Sequence, residues 1–178
     1  IDPIDGTSNY LQQVPHFCIS VALRFQGENL AGIIYDPIRE DWFHAIKGCG
    51  AFHNQKALHI QDRPLSRSYC VMGLYKSAPT IDAGIKILRD VALSFNKVRI
   101  TGSAALDMAW VAANRFQGFY EYGLRLWDIA AGDILIREAG GTVDIIPYNG
   151  IYSYFLNCGT ERSVQYLRTL LPAVNDPH

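Results

Sequence analysis

Three consecutive segments near the start of the chain alternate in character with the two-residue period of a β-strand. All three are rich in β-branched and aromatic residues, and they cover residues 17–26, 29–35 and 41–47. Turn-forming residues separate them at 26–29 and 36–40. The pattern predicts an antiparallel meander, followed by a compact hairpin or loop over residues 47–57.

Beyond residue 80 the pattern changes to alternating helices and strands. Apolar residues at helical spacing predict helices over residues 80–96, 103–114, 128–139 and 161–171. Ser103 is a candidate N-cap of the second of these helices. Short β-forming runs predict strands over residues 98–100, 118–122 and 142–146. The whole pattern predicts a layered α/β (α+β) fold with alternating α and β layers and with mixed as well as antiparallel sheets.

Composition narrows the class of function. The chain has 178 residues, of which 49% are hydrophobic, so it can bury one sizeable core. Its net charge is −1, which predicts neither direct nucleic-acid binding nor a membrane partner. The four cysteines are widely spaced without a C-x-x-C pair, which argues against structural zinc or a disulfide framework. A reduced, cytoplasmic protein is therefore expected.

The first six residues place two carboxylates three positions apart, followed by a glycine and a hydroxyl. Mg²⁺ is usually held by one or two carboxylates together with substrate phosphate oxygens. The intervening proline stiffens the turn, so Asp2, the carbonyl of Ile4 and Asp5 could converge on one point. Gly6 and Thr7 would then offer backbone N–H groups to a phosphate. The alternative is an ordinary turn, because Asp-Pro and Asp-Gly are common turn dipeptides.

A second acidic motif lies in the segment of residues 126–141. The sequence of this segment predicts a helix that begins at an aspartate and ends at a Gly-Gly pair. Asp128 would lie at the N-terminus of this helix, where a carboxylate is stabilised and can also face a cation. Trp127 is predicted to pack and so to anchor the start of the helix. Asp133 and Glu138 project elsewhere and are predicted to be structural.

These motifs resemble the inositol monophosphatase family, most closely its bacterial branch. The matching stretches occur in the family's order and cover residues 2–10, 15–23, 101–110, 118–123 and 127–141. The resemblance implies that family's sugar-phosphatase fold. Members normally carry a further N-terminal segment with two helices and a metal-ligating glutamate, which this sequence lacks. Residues 1–178 are thus expected to be the C-terminal portion of one catalytic unit, with the first metal motif and the meander in 1–60 and the α/β part in 61–178.

The resemblance also assigns roles to individual residues. The implied metal ligands are Asp2, the carbonyl of Ile4, Asp5 and Asp128. Phosphate would be bound by Gly6 and Thr7, and Thr7 would also orient the attacking water, so that Asp5 and Thr7 are the implied catalytic residues. The implied substrate site further includes Gly102, Ser103, Ala104, Glu121 and Asp128. Taken without the resemblance, Glu121 would more simply be a solvated charge.

The implied activity is Mg²⁺-dependent hydrolysis of a phosphomonoester, with myo-inositol monophosphate as the expected substrate. Two or three Mg²⁺ ions, with Mn²⁺ as a substitute, inhibition by Li⁺ and a homodimer follow from the same resemblance. Relatives with the same motifs act on fructose bisphosphate or 3′-phosphoadenosine compounds, which leaves a related sugar or nucleotide phosphatase open. Two further alternatives are a regulatory protein that binds the proteins of bacterial transcription complexes, and an inactive fragment.

Overall fold

Two β-sheets and two pairs of helices form four successive layers in the computed structural model, which describes residues 1–74, 78–148 and 153–170. The first layer is an antiparallel sheet, and the second is a pair of helices that contacts both sheets. The third layer is a mixed sheet, whose other face carries the second helix pair. This architecture confirms the α/β fold class that the sequence pattern predicts.

The first sheet contains six antiparallel strands in chain order. They are β1 (Asp2–Asp5), β2 (Cys18–Phe25), β3 (Glu28–Asp36), β4 (Asp41–Ile46), β5 (Gly50–His53) and β6 (Lys56–Ala57). The predicted meander is confirmed as β2, β3 and β4, and the expected hairpin as β5 and β6. The first acidic motif, expected to be a turn, forms the edge strand β1 instead, because it pairs with β2.

The second sheet has the strand order β10-β11-β9-β7-β8. Its strands are β7 (Tyr69–Met72), β8 (Lys97–Arg99), β9 (Gly118–Arg125), β10 (Thr142–Pro147) and β11 (Ser153–Gly159). Strand β7 is parallel to both β8 and β9, whereas the other pairs are antiparallel. The sequence pattern did not predict β7 or β11. Both are almost wholly buried, so they lack the alternation that marks a half-exposed strand.

The helices are α1 (Thr7–Leu11), α2 (Ala78–Ser94), α3 (Ala104–Ala112), α4 (Leu126–Glu138) and α5 (Glu161–Leu170). Helices α3 and α4 lie between the sheets, and α2 and α5 cover the far face of the second sheet. Helix α4 begins at Leu126, so the prediction that Asp128 initiates it is wrong by two residues. Within the described residues, no helix has the length and apolar character needed to cross a bilayer.

Two glycines allow α4 to approach its neighbours closely. A Cβ atom on Gly32 of β3 would lie 2.7 Å from the carbonyl oxygen of Ala131, and one on Gly132 would lie 2.5 Å from the sulfur of Met108 on α3. Real Cβ atoms do not come this near to other heavy atoms, so any larger residue would push the layers apart. Helix α4 is thereby held close to both the first sheet and α3.

Candidate metal centre

Three carboxylates from two distant motifs meet at one edge of the first sheet. Asp2 and Asp5 come from β1, and Asp128 comes from the first turn of α4. One carboxylate oxygen from each residue lies within 4.8 Å of the other two. Oxygens bound to a single Mg²⁺ at about 2.1 Å lie at most about 4.2 Å apart, so the three carboxylates need only a small adjustment to share or bridge cations.

An irregularity in β1 makes this convergence possible. Residues three apart on a regular strand point to opposite faces. Here Asp2 is paired with Ser20 and Asp5 with Cys18, and the register shifts between these two pairs. Asp2 also accepts the backbone N–H of Ile4 at 3.0 Å. The local bulge therefore turns both carboxylates toward the same side.

Asp5 is buried and bound by the start of α3. Its Oδ2 atom accepts the hydroxyl of Ser103 at 2.5 Å and the backbone N–H of Ala105 at 2.8 Å, and the thiol of Cys18 lies 3.8 Å from it. Ser103 occupies the predicted N-cap position, but its hydroxyl bonds to Asp5 and makes no capping bond to its own helix. The carboxylate of Asp5 instead satisfies a free N–H group in the first turn of α3.

Burial and mutual repulsion raise the pKa values of this cluster. Burial, with a smaller contribution from the charges of Asp128 and Asp2, raises the pKa of Asp5 to about 7, although the hydrogen bonds from Ser103 and Ala105 act in the opposite direction. Burial also raises the pKa of Asp128 to about 6, with Asp2 adding to the effect. Carboxylates that resist ionisation for these reasons are stabilised as anions when a divalent cation is bound between them.

Asp128 is held by the backbone of its own helix. Its Oδ2 atom accepts the N–H of Arg125, the N-cap residue, at 2.7 Å. The prediction that the Trp127 side chain anchors this turn is wrong, because 47% of that residue is exposed. Trp127 contributes instead through its carbonyl, which accepts the hydroxyl of Ser20 at 3.4 Å. The anchor of the turn is thus main-chain contact with the first sheet.

The two other acidic residues of α4 point away from the cluster. Asp133 accepts hydrogen bonds from Asn29 and Arg137, each at 2.7 Å. Glu138 accepts the backbone N–H groups of Gly48 and Gly50, where β4 turns into β5, both at 2.9 Å. Both residues connect α4 to other elements, as predicted for structural carboxylates.

Gly6 and Thr7 form the tight turn that follows β1. Gly6 has a left-handed backbone (φ 86°), and a Cβ atom there would lie 3.0 Å from the Cβ of Ser103. The hydroxyl of Thr7 donates to the carbonyl of Ile4 at 2.8 Å, which places these two residues together. Helix α1, which begins at Thr7 directly after Gly6, has only five residues.

The expected substrate loop lies directly against this turn. The carbonyl of Gly102 would lie 3.3 Å from a Cβ atom on Gly6. Gly102 itself has a left-handed backbone (φ 88°), Ser103 is fully buried, and Ala104 is the buried first residue of α3. The structure therefore brings the loop of residues 102–104 together with the first acidic motif.

Glu121 lies on β9 beside the acidic cluster and is partly buried. Burial, together with the nearby charges of Asp107, Asp5 and Asp128, raises its pKa to about 8. Its carboxyl group lies over Gly73, where a Cβ atom would come within 1.8 Å of Glu121 Cδ. The structure thus places this side chain at the cluster and does not support the simpler expectation of a solvated charge.

A buried polar network beside the site was not predicted. His16 Nε2 lies 3.1 Å from Oδ1 of Asp107, and the hydroxyl of Thr101 donates to the other oxygen of Asp107. The side chain of Asn9 donates to the carbonyls of His16 (2.7 Å) and Thr101 (2.8 Å). A sequence signal for the network exists, because Asp107 interrupts an otherwise apolar helix and a buried carboxylate needs partners.

The sequence profile of the inositol monophosphatase family matches residues 1–151, and the chain belongs to this family. Among curated relatives, the Nus factor SuhB of Pasteurella multocida is 40% identical over 156 residues, which cover 86% of this chain and 58% of the relative. The Nus factor SuhB of Escherichia coli K12 is 41% identical over 158 residues, which cover 88% of this chain and 58% of the relative. The chain thus spans less than two thirds of the length of these relatives.

Solved structures of the family share the fold. The extragenic suppressor protein suhB from Bartonella henselae superposes with a TM-score of 0.88 at 38% identity, over 97% of this chain and 69% of that one. Inositol monophosphatase from Anabaena sp. PCC 7120 superposes with a TM-score of 0.84 at 33% identity, over 98% of this chain and 72% of that one. The family and the fold expected from the sequence motifs are both confirmed.

Proposed function

We propose that this chain forms the metal-binding part of a Mg²⁺-dependent phosphomonoesterase whose substrate is a small phosphorylated polyol, with myo-inositol monophosphate as the first candidate. The observation that carries the proposal is the convergence of Asp2, Asp5 and Asp128 within 4.8 Å. Membership in the inositol monophosphatase family supports a phosphatase in general. The choice of inositol monophosphate rests on resemblance.

The donor set fits a hard divalent cation. Asp2, Asp5, Asp128 and the carbonyl of Ile4 supply only oxygen atoms, which Mg²⁺ prefers and Mn²⁺ also accepts. Two or three ions would fit, and Li⁺ would inhibit by competing at one position. Bound Mg²⁺ would supply charge stabilisation of the phosphoryl oxygens and activation of a water molecule. Removal of the cation would leave three carboxylates in mutual repulsion.

The protein's own groups position the substrate in this proposal. The backbone N–H groups of Gly6 and Thr7 bind the phosphate, and the Thr7 hydroxyl orients the attacking water. The loop of Gly102, Ser103 and Ala104 lines the substrate site, and the carboxylate of Glu121 accepts hydrogen bonds from substrate hydroxyls. Asp128 serves both the metal and the substrate in this scheme. Catalysis in this scheme is chiefly positioning and electrostatic stabilisation.

A second candidate function is regulatory. The relatives at about 40% identity are named Nus factors, which favours a role in transcription complexes for those proteins. With a net charge of −1, this chain would take such a role through contacts with proteins and not with nucleic acid. A homodimer is part of both proposals.

The test is a phosphatase assay with and without Mg²⁺ on inositol, sugar and nucleotide phosphomonoesters. Residues 1–178 are assayed alone and also joined to the N-terminal segment of the Escherichia coli relative, which would supply the glutamate that the resemblance implies. We expect hydrolysis only in the longer form, and a loss of at least about a hundredfold in Asp2→Asn, Asp5→Asn and Asp128→Asn. Asp90→Asn, a surface carboxylate on α2, is the matched control.

Two outcomes would contradict the enzymatic proposal. In the first, the longer form hydrolyses none of the esters but still binds transcription factors, and the regulatory function then replaces it. In the second, hydrolysis persists after Mg²⁺ is removed or after the three carboxylates are replaced. The substrate class is decided by which ester has the highest kcat/KM.

A further inference from the structure

Gly73 occupies an unusual position directly after β7. Its backbone N–H donates to the carbonyl of Tyr120 at 3.0 Å, so it continues the pairing of β7 with β9. A Cβ atom on Gly73 would lie 1.8 Å from Cδ of Glu121 and 2.1 Å from each of its carboxylate oxygens. The carboxyl group of Glu121 therefore occupies the space that any side chain at position 73 would need.

The backbone does not require glycine at this position. Gly6 and Gly102 have positive φ angles, which disfavour other residues, but Gly73 does not. Gly32 is needed because a Cβ atom there would meet the backbone of α4. At Gly73 the nearest atoms all belong to the end of one flexible side chain. A methyl group at position 73 is thus compatible with the fold but not with the observed position of the Glu121 carboxylate.

The surroundings of Glu121 define what this carboxylate can bind. Charged groups face it from three elements, namely Asp5 on β1, Asp107 on α3 and Asp128 on α4, and all three are acidic. The part of a substrate that lies here should therefore carry no negative charge and should donate hydrogen bonds. A polyol ring with free hydroxyls meets both conditions.

We propose that Gly73 is a positioning residue, whose missing side chain forms the niche that holds the Glu121 carboxylate and thereby gives the site its preference for esters with free hydroxyls. This inference rests on the proposed phosphatase function. A site that offers a buried acceptor to a hydroxyl discriminates strongly against substrates that lack the hydroxyl, because the acceptor is then left unpaired. Moving the carboxylate would reduce that discrimination.

The experiment is a double-mutant cycle of Gly73→Ala and Glu121→Ala in the form of the protein that is active with Mg²⁺. The two probes are inositol 1-phosphate, which carries five free hydroxyls, and p-nitrophenyl phosphate, which has none. We expect Gly73→Ala to lower kcat/KM for the inositol ester by about tenfold or more, with little change for the nitrophenyl ester. In the Glu121→Ala background, which lacks the side chain that the niche holds, Gly73→Ala should have no further effect.

A control separates this role from general damage to the sheet. Gly118 lies on the same sheet, and in Gly118→Ala the added Cβ atom would lie 3.3 Å from Cβ of Ser163 on α5 and away from Glu121, so the variant should affect both esters equally. The inference is overturned when Gly73→Ala weakens hydrolysis of both esters equally, or when its effect persists without the Glu121 carboxylate.

A crystal structure of Gly73→Ala tests the positioning role independently of activity. The carboxylate of Glu121 should leave its niche, while the backbone of β7 and β9 stays in place. A carboxylate that has not moved in this variant would refute the inference even in an active enzyme. If the protein hydrolyses no phosphomonoester, the proposed function fails, but a displaced Glu121 would still establish the role of Gly73.

Discussion

Asp5 and Ser103, 98 positions apart in the chain, are joined by a hydrogen bond of 2.5 Å between the carboxylate and the hydroxyl. The bond connects the edge strand of the first sheet to the N-terminus of α3. Because Asp5 also accepts the N–H of Ala105, the first turn of α3 fixes the direction of this carboxylate. The candidate metal motif and the expected substrate loop are thus parts of one hydrogen-bonded unit.

Replacement of Ser103 by alanine should weaken cation binding without preventing folding. A hydrogen bond to a charged group contributes about 2 kcal/mol, and its loss disfavours the ionised form of Asp5 that a cation requires. We expect the dissociation constant for Mg²⁺ to rise by about tenfold or more. The measurement is a Mg²⁺ titration in which the midpoint of thermal unfolding reports binding at each Mg²⁺ concentration.

Ser66→Ala is the control for the Ser103 variant, because Ser66 is exposed in a single 3₁₀ turn (Leu65–Arg67) that precedes β7. Its Mg²⁺ affinity should equal that of the unmodified protein. Equal affinity in Ser103→Ala would show that the hydroxyl does not support the ionised state of Asp5.

Asp128→Asn should stabilise the metal-free protein while it removes the response to Mg²⁺. The amide oxygen of asparagine can still accept the N–H of Arg125, but one of three crowded charges is gone. We expect a gain of about 1 kcal/mol in the free energy of unfolding in the presence of a chelator. Thermal unfolding with chelator and with Mg²⁺ measures both effects.

Asp90→Asn serves as the comparison for Asp128→Asn, since Asp90 lies on the surface of α2 and pairs with Arg89. That variant should keep the full stabilisation by Mg²⁺. A Mg²⁺ response that survives in Asp128→Asn would place the cation away from this residue.

Local patterns predicted the elements that have one exposed face. The meander of the first sheet alternates because its strands are half-buried, and helices α2 and α5 carry clear apolar stripes. Strand β11 is buried on both faces, so its sequence does not alternate between buried and exposed residue types, and the two-residue pattern of a half-exposed strand is missing. The start of α4 was placed at Asp128 because aspartate is a good N-cap, whereas here Arg125 occupies that position.

The candidate site likewise has some features that the sequence predicts and others that it does not. Asp2, Asp5 and Asp128 could be named because their chemistry is visible in short motifs. The contacts that hold them depend on tertiary structure, and no local pattern indicates that Ser103 binds Asp5 or that Gly73 faces Glu121. Sequence therefore predicts which groups take part, while the packing of the layers determines how they are held.

The stability of the metal-free protein should fall as the pH rises from about 4 to about 7. Asp5 has a folded-state pKa of about 7 and a reference value of 3.8, so in this interval the folded state keeps a proton that the unfolded state has released. Rising pH then favours unfolding, by on the order of 4 kcal/mol at most across the whole interval. Asp128, with a pKa of about 6, acts in the same direction.

Urea unfolding at a series of pH values with a chelator present measures this dependence. Asp5→Asn should show a much flatter profile, because its side chain does not titrate. With saturating Mg²⁺ the trend should reverse, since the cation binds the ionised carboxylates of the folded state. A metal-free protein that gains stability between pH 4 and pH 7 would contradict the raised pKa of Asp5.

The buried pair of His16 and Asp107 should stabilise the loops around the site. Both side chains are almost fully buried, and Asp107 also accepts the hydroxyl of Thr101. Removing one partner leaves the other polar group buried without its partner, so Asp107→Ala should lower the free energy of unfolding by about 3 kcal/mol. The effect of His16→Ala should be of similar size, and the double variant should lose less than the sum of the two.

Urea unfolding of the two single variants and the double variant measures this coupling, with Asp62→Ala as the control because Asp62 pairs with Arg162 at the surface. That variant should lose less than about 1 kcal/mol. Because the carbonyl of His16 and the carbonyl of Thr101 both bind Asn9, the His16 and Asp107 variants should also loosen the turn at Gly6. The rate of amide hydrogen exchange in residues 6–16 should therefore rise in these variants and not in Asp62→Ala. Strictly additive losses in the free energy of unfolding, together with unchanged exchange, would show that the pair does not hold the loops together.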